Sequence, residues 1–521
     1  MSRQKPAAVM VLAAGAGTRM NSSTPKVLHT IAGRTLLHHA IAAAQELEPA
    51  RLVVVLRHER DAVAAHVADI APTALLADQD DVPGTGRAVY CGLTALDATA
   101  VAFAVAHGAA TREAALESRA SGAVIVTSGD VPLVTGELLG ALADEHAAAG
   151  NGVTILTSRM HDPGSYGRIV RGGDGAVLRI VEAKDASDVE LAINEINAGI
   201  YVFDADALRT ALASVGRDNA QREMYLTDVV EIVREAGGRV GAFVAPDPAA
   251  VEGVNDRVQL SRAGATLNRI IVERWMRAGV TVVDPSTTWI GADVVLAPDV
   301  TILPGTQLDG ATSVATGAVI GPDTSLTDVA VGQGASVVRT HGSGSIIDAG
   351  ASVGPFSYLR PGTHLGADGK IGAFVETKNA RIGAHSKVPH LSYVGDATIG
   401  EHSNIGAATI FVNYDGVSKS RSEVGSHVRI GSDNTLIAPV TIGDGAYTGA
   451  GAIIRHDVPA GALSLNSVQQ QTVEGWVERR RPGTPSAEAA KAARVSDDHE
   501  TLSSGAQEER AAAAADHEGE A

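Results

Sequence analysis

Cysteine is almost absent from this sequence: Cys91 is the only one in 521 residues. A lone thiol excludes an internal disulfide and a cysteine-built zinc site, and it fits a reducing compartment, so the cytoplasm is the expected location. Positive charge is also scarce, since 42 Lys and Arg against 60 Asp and Glu leave a net charge of −18. The overall field repels nucleic acid and anionic lipid, and neither is expected as a partner; an anionic substrate must be held by local cations. No uninterrupted membrane span is expected. The short apolar run near the N-terminus ends in glycine-rich sequence and reads as neither a targeting nor an anchoring segment.

Two familiar phosphate loops are missing as well. The stretch VLAAGAGTRMNSSTPKVLH (Val11 to His29) places a Gly-x-Gly turn after an apolar run. It lacks the Gly-Lys-Ser/Thr that closes a Walker loop and the third glycine of a dinucleotide fingerprint.

What is present divides into two grammars. With 45% hydrophobic residues the chain is too long for one core and predicts two or three domains. Residues 1–256 alternate strand-like runs (Ala8 to Leu12, Leu52 to Leu56, Ala123 to Val126, Val153 to Leu156) with Ala- and Leu-rich helical stretches. This pattern predicts an α/β, Rossmann-like domain with a mostly parallel sheet and a ligand site beyond the C-terminal ends of its strands. Residues 257–279 read as a helical linker, periodic from Ser261 and stopped by Gly279.

From Ile290 an aliphatic residue recurs every sixth position: Ile290, Leu296, Ile302, Leu308, Val314, Ile320, Leu326. After register shifts the pattern returns at Val353, Leu359, Leu365 and Ile371, then at Ile382, Val388 and Val394, and finally at Ile430, Leu436 and Ile442. A period of six fits neither a helix nor a meander. It predicts a hexapeptide-repeat parallel β-helix over residues 280–482, in which each aliphatic side chain stacks on its copies. NYDGVSKSRS (Asn413 to Ser422) interrupts the hexads and predicts a projecting loop suited to binding. Residues 483–521 read as a disordered acidic tail, with nine acids and three bases from Thr484 onward.

Taken singly, the polar signals have plain readings. Gly15-x-Gly17 is commonly a strand-to-helix turn, an aspartate such as Asp130 a helix cap, and a histidine such as His390 a surface residue. Lys378, Lys419, Arg360 and the run Arg479 to Arg481 could each be solvated charge.

Their combination, however, resembles a known family. LAAGAGTRM with PKVLH, then PGTG, SGDVPL, YGRI, EINAGIY, VEGVNDR, VGPFSYLRPG, FVETKNARIG, HLSYVGDATIG, NIGAATIFVNYDG and GSDNTLIAPVTIG occur in the order of the bifunctional bacterial N-acetylglucosamine-1-phosphate uridylyltransferase/glucosamine-1-phosphate N-acetyltransferases. The similarity runs from about Ala8 to Trp476. It implies a left-handed β-helix behind the nucleotidyltransferase domain.

For the first reaction the resemblance implies that Leu12, Ala13, Ala14 and Gly15 contact the uracil nucleotide, while Arg19 and Lys26 face the triphosphate and the sugar phosphate. Glycines let backbone amides approach an anion, and fixed cations oppose the charge that builds at phosphorus. By resemblance Asp130 and Asn255 hold Mg²⁺, an oxygen-seeking ion that keeps waters and borrows phosphate oxygens. Gln79, Gly84 and Thr85 match uracil contacts, Ser128 and Gly129 lie beside the metal, and Gly167, Glu182 and Asn197 match sugar contacts.

For the second reaction His390 matches the general base, which an amine attacking a thioester requires. Arg360, Lys378, Tyr393, Asn404 and Lys419 match sugar-phosphate contacts. Ala407, Asn413, Tyr414, Ser432 and Ala450 match acetyl-CoA contacts. A homotrimer using UTP and acetyl-CoA as co-substrates is implied.

Two departures stand out. Ser467 replaces an arginine that some members direct at CoA, with Arg479 to Arg481 beside Trp476 as possible substitutes, and Ala98 to Ala120 is longer than the family's usual connection. Two rivals remain open: a one-activity nucleotidyltransferase, such as an ADP-glucose pyrophosphorylase relative, with a passive β-helix, and a noncatalytic nucleotide sensor on a scaffold.

Overall fold

The computed structural model describes residues 5–107, 117–466 and 469–495. The evenly apolar runs of the first half form a sheet buried on both faces, as runs without polar alternation must. Its order is Val240–Val244, Val153–Arg159, Glu195–Asp204, Ala123–Ser128, Ala8–Ala13, Leu52–Leu56, Leu75–Asp78. Neighbours are parallel except at Glu195–Asp204, which runs antiparallel to its neighbour on either side and to the short strand Arg168–Arg171. Side chains alternate between two cores. Val9, Val11, Val54 and Ile125 pack with helices Leu36–Gln45 and Gly136–Ala149, whereas Ala8, Met10, Val53, Val55, Val124 and Val126 pack with helix Thr85–Ala106. The expected mostly parallel α/β domain is what forms.

Helix Thr85–Ala106 is, by length and composition, apolar enough to cross a membrane, contrary to the expectation that no segment would be. Here it carries Gly86, Ala88, Val89, Gly92, Leu93 and Leu96 as buried residues against the sheet. It also absorbs the first part of the unusually long Ala98 to Ala120 connection. The ends of that connection are clamped by Arg209, which donates to both Asp97 carboxylate oxygens at 2.8 and 2.9 Å and to the Ala120 carbonyl at 2.8 Å. Residues 108–116 lie outside the described chain.

Helix Arg257–Arg277 starts at the first residue of the expected linker, ahead of the periodicity from Ser261, where Asp256 caps it by accepting from the Gln259 amide at 2.8 Å. It is more than a linker. Ile271 and Val272 enter the β-helix core, and Asn268 donates to the Thr288 carbonyl at 2.8 Å and accepts from the Ile290 amide at 3.0 Å, which closes the first coil.

Strands from Thr281–Val282 to Leu463–Ser464 wind a left-handed parallel β-helix. Every aliphatic residue of the hexad series is buried within it. Ile290 pairs with Leu308 and Leu308 with Leu326, so a full coil takes three hexads. The register shifts are short coils: Val314 pairs with Val331, and Val331 with Ile347. One coil is long, with Ile399 paired to Val424, and its extra residues are the projecting loop. Corners are turned by residues at positive φ; in one column these are Arg339, Phe356, Phe374, Leu391, Ala408 and Asp433.

The strand ladder stops at Ser464, short of the expected 482, because NSVQQQTVEG offers no aliphatic hexad. The chain from Leu465 forms a separate unit. In it, Trp476–Arg480 is helical and Arg481 lies over the Trp476 ring. Residues 485–495 are helical too, where disorder was expected. The Thr484 hydroxyl accepts from the Ala487 amide at 3.3 Å, and the alanine-rich run that follows favours helix despite its acidic surroundings. Ser467 and residues 496–521 lie outside the described residues.

Candidate active sites

The opening strand ends at Ala13 and the metal-motif strand beside it at Ser128, so both empty into one cleft of about 510 Å³. Leu12, Ala13, Ala14, Gly15, Lys26, Gln79, Gly84, Thr85, Ser128, Asp130, Gly167, Glu182, Asn197 and Asn255 all line it. Gly129 sits behind the lining, its amide donating to the Leu12 carbonyl at 2.9 Å, which ties the two loops together. Arg19 lies on the exposed turn Thr18–Met20, outside the lining, and makes no ion pair among the described residues.

Two glycines are fixed by space as well as conformation. Gly17 has φ 61°, and a Cβ there would stand 2.5 Å from the Lys26 Cβ; Gly84 has φ 117°, and its Cβ would meet the Met224 carbonyl at 2.3 Å. The backbone at Gly15, by contrast, is open.

At one end of the cleft, residues far apart in sequence converge. Lys26 Nζ is ion-paired with Asp130 and donates to Asn255 Oδ1 at 3.2 Å. Ser128 Oγ donates to the other Asp130 oxygen at 2.7 Å, and the Val254 amide donates to the Asp130 carbonyl at 2.8 Å, which brings Asn255 alongside. Asp130 and Asn255 thus present hard oxygens to one point, and that donor set suits Mg²⁺, which needs few protein ligands when phosphates and waters supply the rest.

Among the residues matched to sugar contacts, Asn197 Nδ2 donates to Tyr201 Oη at 2.7 Å and its Oδ1 accepts from the Gly199 amide at 3.1 Å. Glu182 accepts from Thr227 Oγ1 at 3.2 Å. Burial, reinforced by Asp185, Asp228 and Glu223, pushes the Glu182 carboxyl above its ordinary range, and burial likewise raises the Tyr225 phenol to about 12. Gln79 donates to the Val82 and Gly84 carbonyls at 2.8 and 3.2 Å, shaping the loop that leads into helix Thr85–Ala106.

Sequence reasoning missed several lining residues: Arg57, His58, Tyr166, Glu223, Thr227 and Gly253. Tyr166 Oη accepts from the Gly253 amide at 3.1 Å. Only its place in YGRI hinted at it.

The second group of residues lies on the β-helix. Lys378 and Lys419 sit so close that the Lys378 ammonium depresses the Lys419 pKa, leaving two like charges poised for an anion. Beside them, Asp396 accepts from Asn379 at 2.7 Å and from Asn413 at 2.5 Å. Burial alone would raise its pKa, but these hydrogen bonds and the two lysines hold it below the ordinary range. Asn413 also reaches Tyr393 Oη at 3.4 Å, and Tyr414 pairs with Lys419 across the projecting loop. Arg360 is ion-paired at 3.0 Å with Glu376, the register partner of Tyr393.

Gly395 makes this arrangement possible, because a Cβ there would stand 2.3 Å from Tyr393 Oη and 2.8 Å from Asn413 Nδ2. Arg421 staples the loop's end to the coil through Thr398 Oγ1 and the Ala397 carbonyl, at 2.8 and 2.9 Å. Neither residue was singled out from sequence.

His390 is exposed on another sheet of the same β-helix, next to the corner. Three of the residues matched to acetyl-CoA contacts, Ala407, Ser432 and Ala450, follow it down the coils. The Ala408 amide donates to the His390 carbonyl at 3.2 Å, the Asp433 amide to Ala407 at 2.7 Å, and the Gly451 amide to Ser432 at 2.9 Å, with Ala450 adjacent. Asn404 is on this sheet too, paired with Lys387 and Arg429. Within one chain, then, His390 and Asn404 share one sheet, while Lys378 and Tyr393 belong to the other, with Arg360 and Asn413 just beyond the ends of its strands Ser357–Leu359 and Ile410–Val412.

Residues 9–172 match the model of the MobA-like NTP transferase domain. Near-full-length relatives are also found. A protein of Kineococcus radiotolerans is 60% identical over 94% of this chain and 95% of its own length, and one of Paenarthrobacter aurescens is 59% identical over the same shares. A third, from Rhodococcus jostii, is 59% identical over 95% of this chain and 97% of its own. All three are named "Bifunctional protein GlmU".

Proposed function

The chain belongs to the GlmU family of bifunctional proteins, and on that premise we propose that it makes UDP-N-acetylglucosamine in two steps. Glucosamine 1-phosphate is first acetylated from acetyl-CoA on the β-helix. N-acetylglucosamine 1-phosphate then takes a uridylyl group from UTP in the α/β domain, releasing pyrophosphate. The observation that carries this reading is that one chain holds two separately built polar clusters, Lys26 with Asp130 and Asn255 in the cleft, and Lys378 with Lys419, Asn413 and Asp396 on the coils.

In uridylyl transfer a phosphate oxygen of the sugar attacks the α-phosphorus and the bond to the β-phosphate oxygen breaks. Lys26, and Arg19 on its exposed turn, oppose the charge on the phosphates. Glu182 and Asn197 meet sugar hydroxyls by hydrogen bonds, since hydroxyls carry no charge to repel a carboxylate. Asp130 and Asn255 would hold Mg²⁺, which neutralises phosphate charge when bound.

In acetyl transfer the sugar amine attacks the thioester carbonyl. His390 takes the amine proton, and CoA leaves as the thiol once a proton is supplied. Lys378, Lys419 and Arg360 hold the phosphate, and the column Ala407, Ser432 and Ala450 lies along the CoA path.

The division of these residues between two sheets of one chain supports a homotrimer in which neighbours complete each acetyl site. Phe356, Phe374 and Leu391, 55%, 59% and 59% exposed beside His390, supply apolar surface for such contacts. The single cysteine supports a cytoplasmic enzyme.

The rival with a passive β-helix is disfavoured by the built cluster around Asp396. The test is a pair of assays on the purified chain: thiol release from acetyl-CoA with glucosamine 1-phosphate, and pyrophosphate release from UTP with N-acetylglucosamine 1-phosphate. Both activities are expected, and absence of thiol release would leave only a nucleotidyltransferase.

A further inference from the structure

Lys26 belongs by its chemistry with phosphates, yet its ammonium rests on the two oxygens assigned to the metal. Its Nζ is ion-paired with Asp130 and 3.2 Å from Asn255 Oδ1, and only 11% and 16% of the Lys26 and Asp130 side chains are exposed. The pairing is built. The Lys26 Cβ is pressed against Gly17, and Ser128 occupies the other Asp130 oxygen, which leaves one to face the ammonium.

A nearly buried carboxylate without a counter-charge is costly, so a cation is needed there in the free protein. An ammonium and a divalent ion cannot share the same two oxygens, because like charges a few ångströms apart repel strongly where water is scarce. We propose that Lys26 is a resident competitor of the divalent cation: it neutralises Asp130 while the site is free and is expelled towards bound phosphates when the cation enters. The inference rests on the Mg²⁺ assignment above. It follows that free cation binds weakly without nucleotide, and that UTP and cation strengthen each other's binding, since the triphosphate receives the displaced ammonium.

The test is Mn²⁺ binding to the full-length protein, followed by electron paramagnetic resonance with and without UTP. Variants are Lys26→Met, Lys26→Gln as a second neutral replacement, Lys26→Arg, Arg57→Met and Asp130→Asn. Without nucleotide, Lys26→Met or Lys26→Gln should bind Mn²⁺ roughly ten- to hundredfold more tightly than wild type, the scale of one charge-assisted hydrogen bond no longer broken. Lys26→Arg should stay as weak as wild type. Loss of a merely structural lysine would weaken binding, so unchanged or weaker binding by both neutral variants overturns the inference. A gain of equal size in Arg57→Met also overturns it, since that marks a general field effect. If wild type binds no Mn²⁺ even with UTP, or if Asp130→Asn changes nothing, the Mg²⁺ assignment itself fails.

Discussion

Gly395→Ala places one methyl group where the acetyl site has no room for it. A Cβ at this position would stand 2.3 Å from Tyr393 Oη and 2.8 Å from Asn413 Nδ2, while ordinary contact begins near 3.4 Å. The tyrosine hydroxyl must therefore retreat by about 1 Å, and Asn413, hydrogen-bonded to Asp396 at 2.5 Å, must give way with it. Because the obstructing atoms are side-chain ends, the stability cost should sit at the low end of overpacking, about 1 kcal/mol. Catalysis is less tolerant: a displacement of this size costs on the order of 100-fold. Thiol release from acetyl-CoA should fall by about that factor, with pyrophosphate release from UTP unchanged. Thiol release within twofold of wild type, in a folded variant, would refute the claim that Gly395 sets the position of Tyr393 and Asn413.

Gly17→Ala should impair the other reaction alone, because it combines a left-handed φ of 61° with a clash against Lys26; steady-state pyrophosphate release is the readout. Asn268→Leu should leave the buried Thr288 carbonyl and Ile290 amide unpaired, costing about 2 kcal/mol or more, which thermal unfolding would register as a clear drop in Tm. Glu182→Gln should affect stability according to pH. The fold raises this carboxyl's pKa, so wild-type stability falls as pH rises from the ordinary carboxylate range through the raised value. The variant does not titrate, so its Tm relative to wild type should rise across that window and then level off; a difference that is flat with pH would contradict the assignment.

The two architectures were legible for different reasons. A period of six in aliphatic residues can be satisfied only by stacking, so the hexads identified the core residues of the β-helix without knowledge of coil lengths. The α/β half was legible from its strand runs, although nothing local marked Glu195–Asp204 as antiparallel. Long-range convergence was not legible: Lys26 reaches partners 104 and 229 positions away, and only the order of the motifs suggested that they meet. Gly395 escaped notice because its importance lies in the space it leaves to Tyr393. Near the end of the chain, capping outweighed composition: Thr484 with an alanine run made helix where acidity suggested disorder. The separation of His390 from Lys378 on two sheets could not be foreseen from the hexads alone.

The central claim is that one amino-acid sequence supports two separable reactions. It is tested most directly by mixing purified Asp130→Ala and His390→Ala proteins with glucosamine 1-phosphate, acetyl-CoA and UTP, and following UDP-N-acetylglucosamine. Each variant alone should make none, and the mixture should make it after a lag while the acetylated intermediate accumulates. A mixture as inactive as its components, although each variant retains its own half-reaction, would contradict the claim.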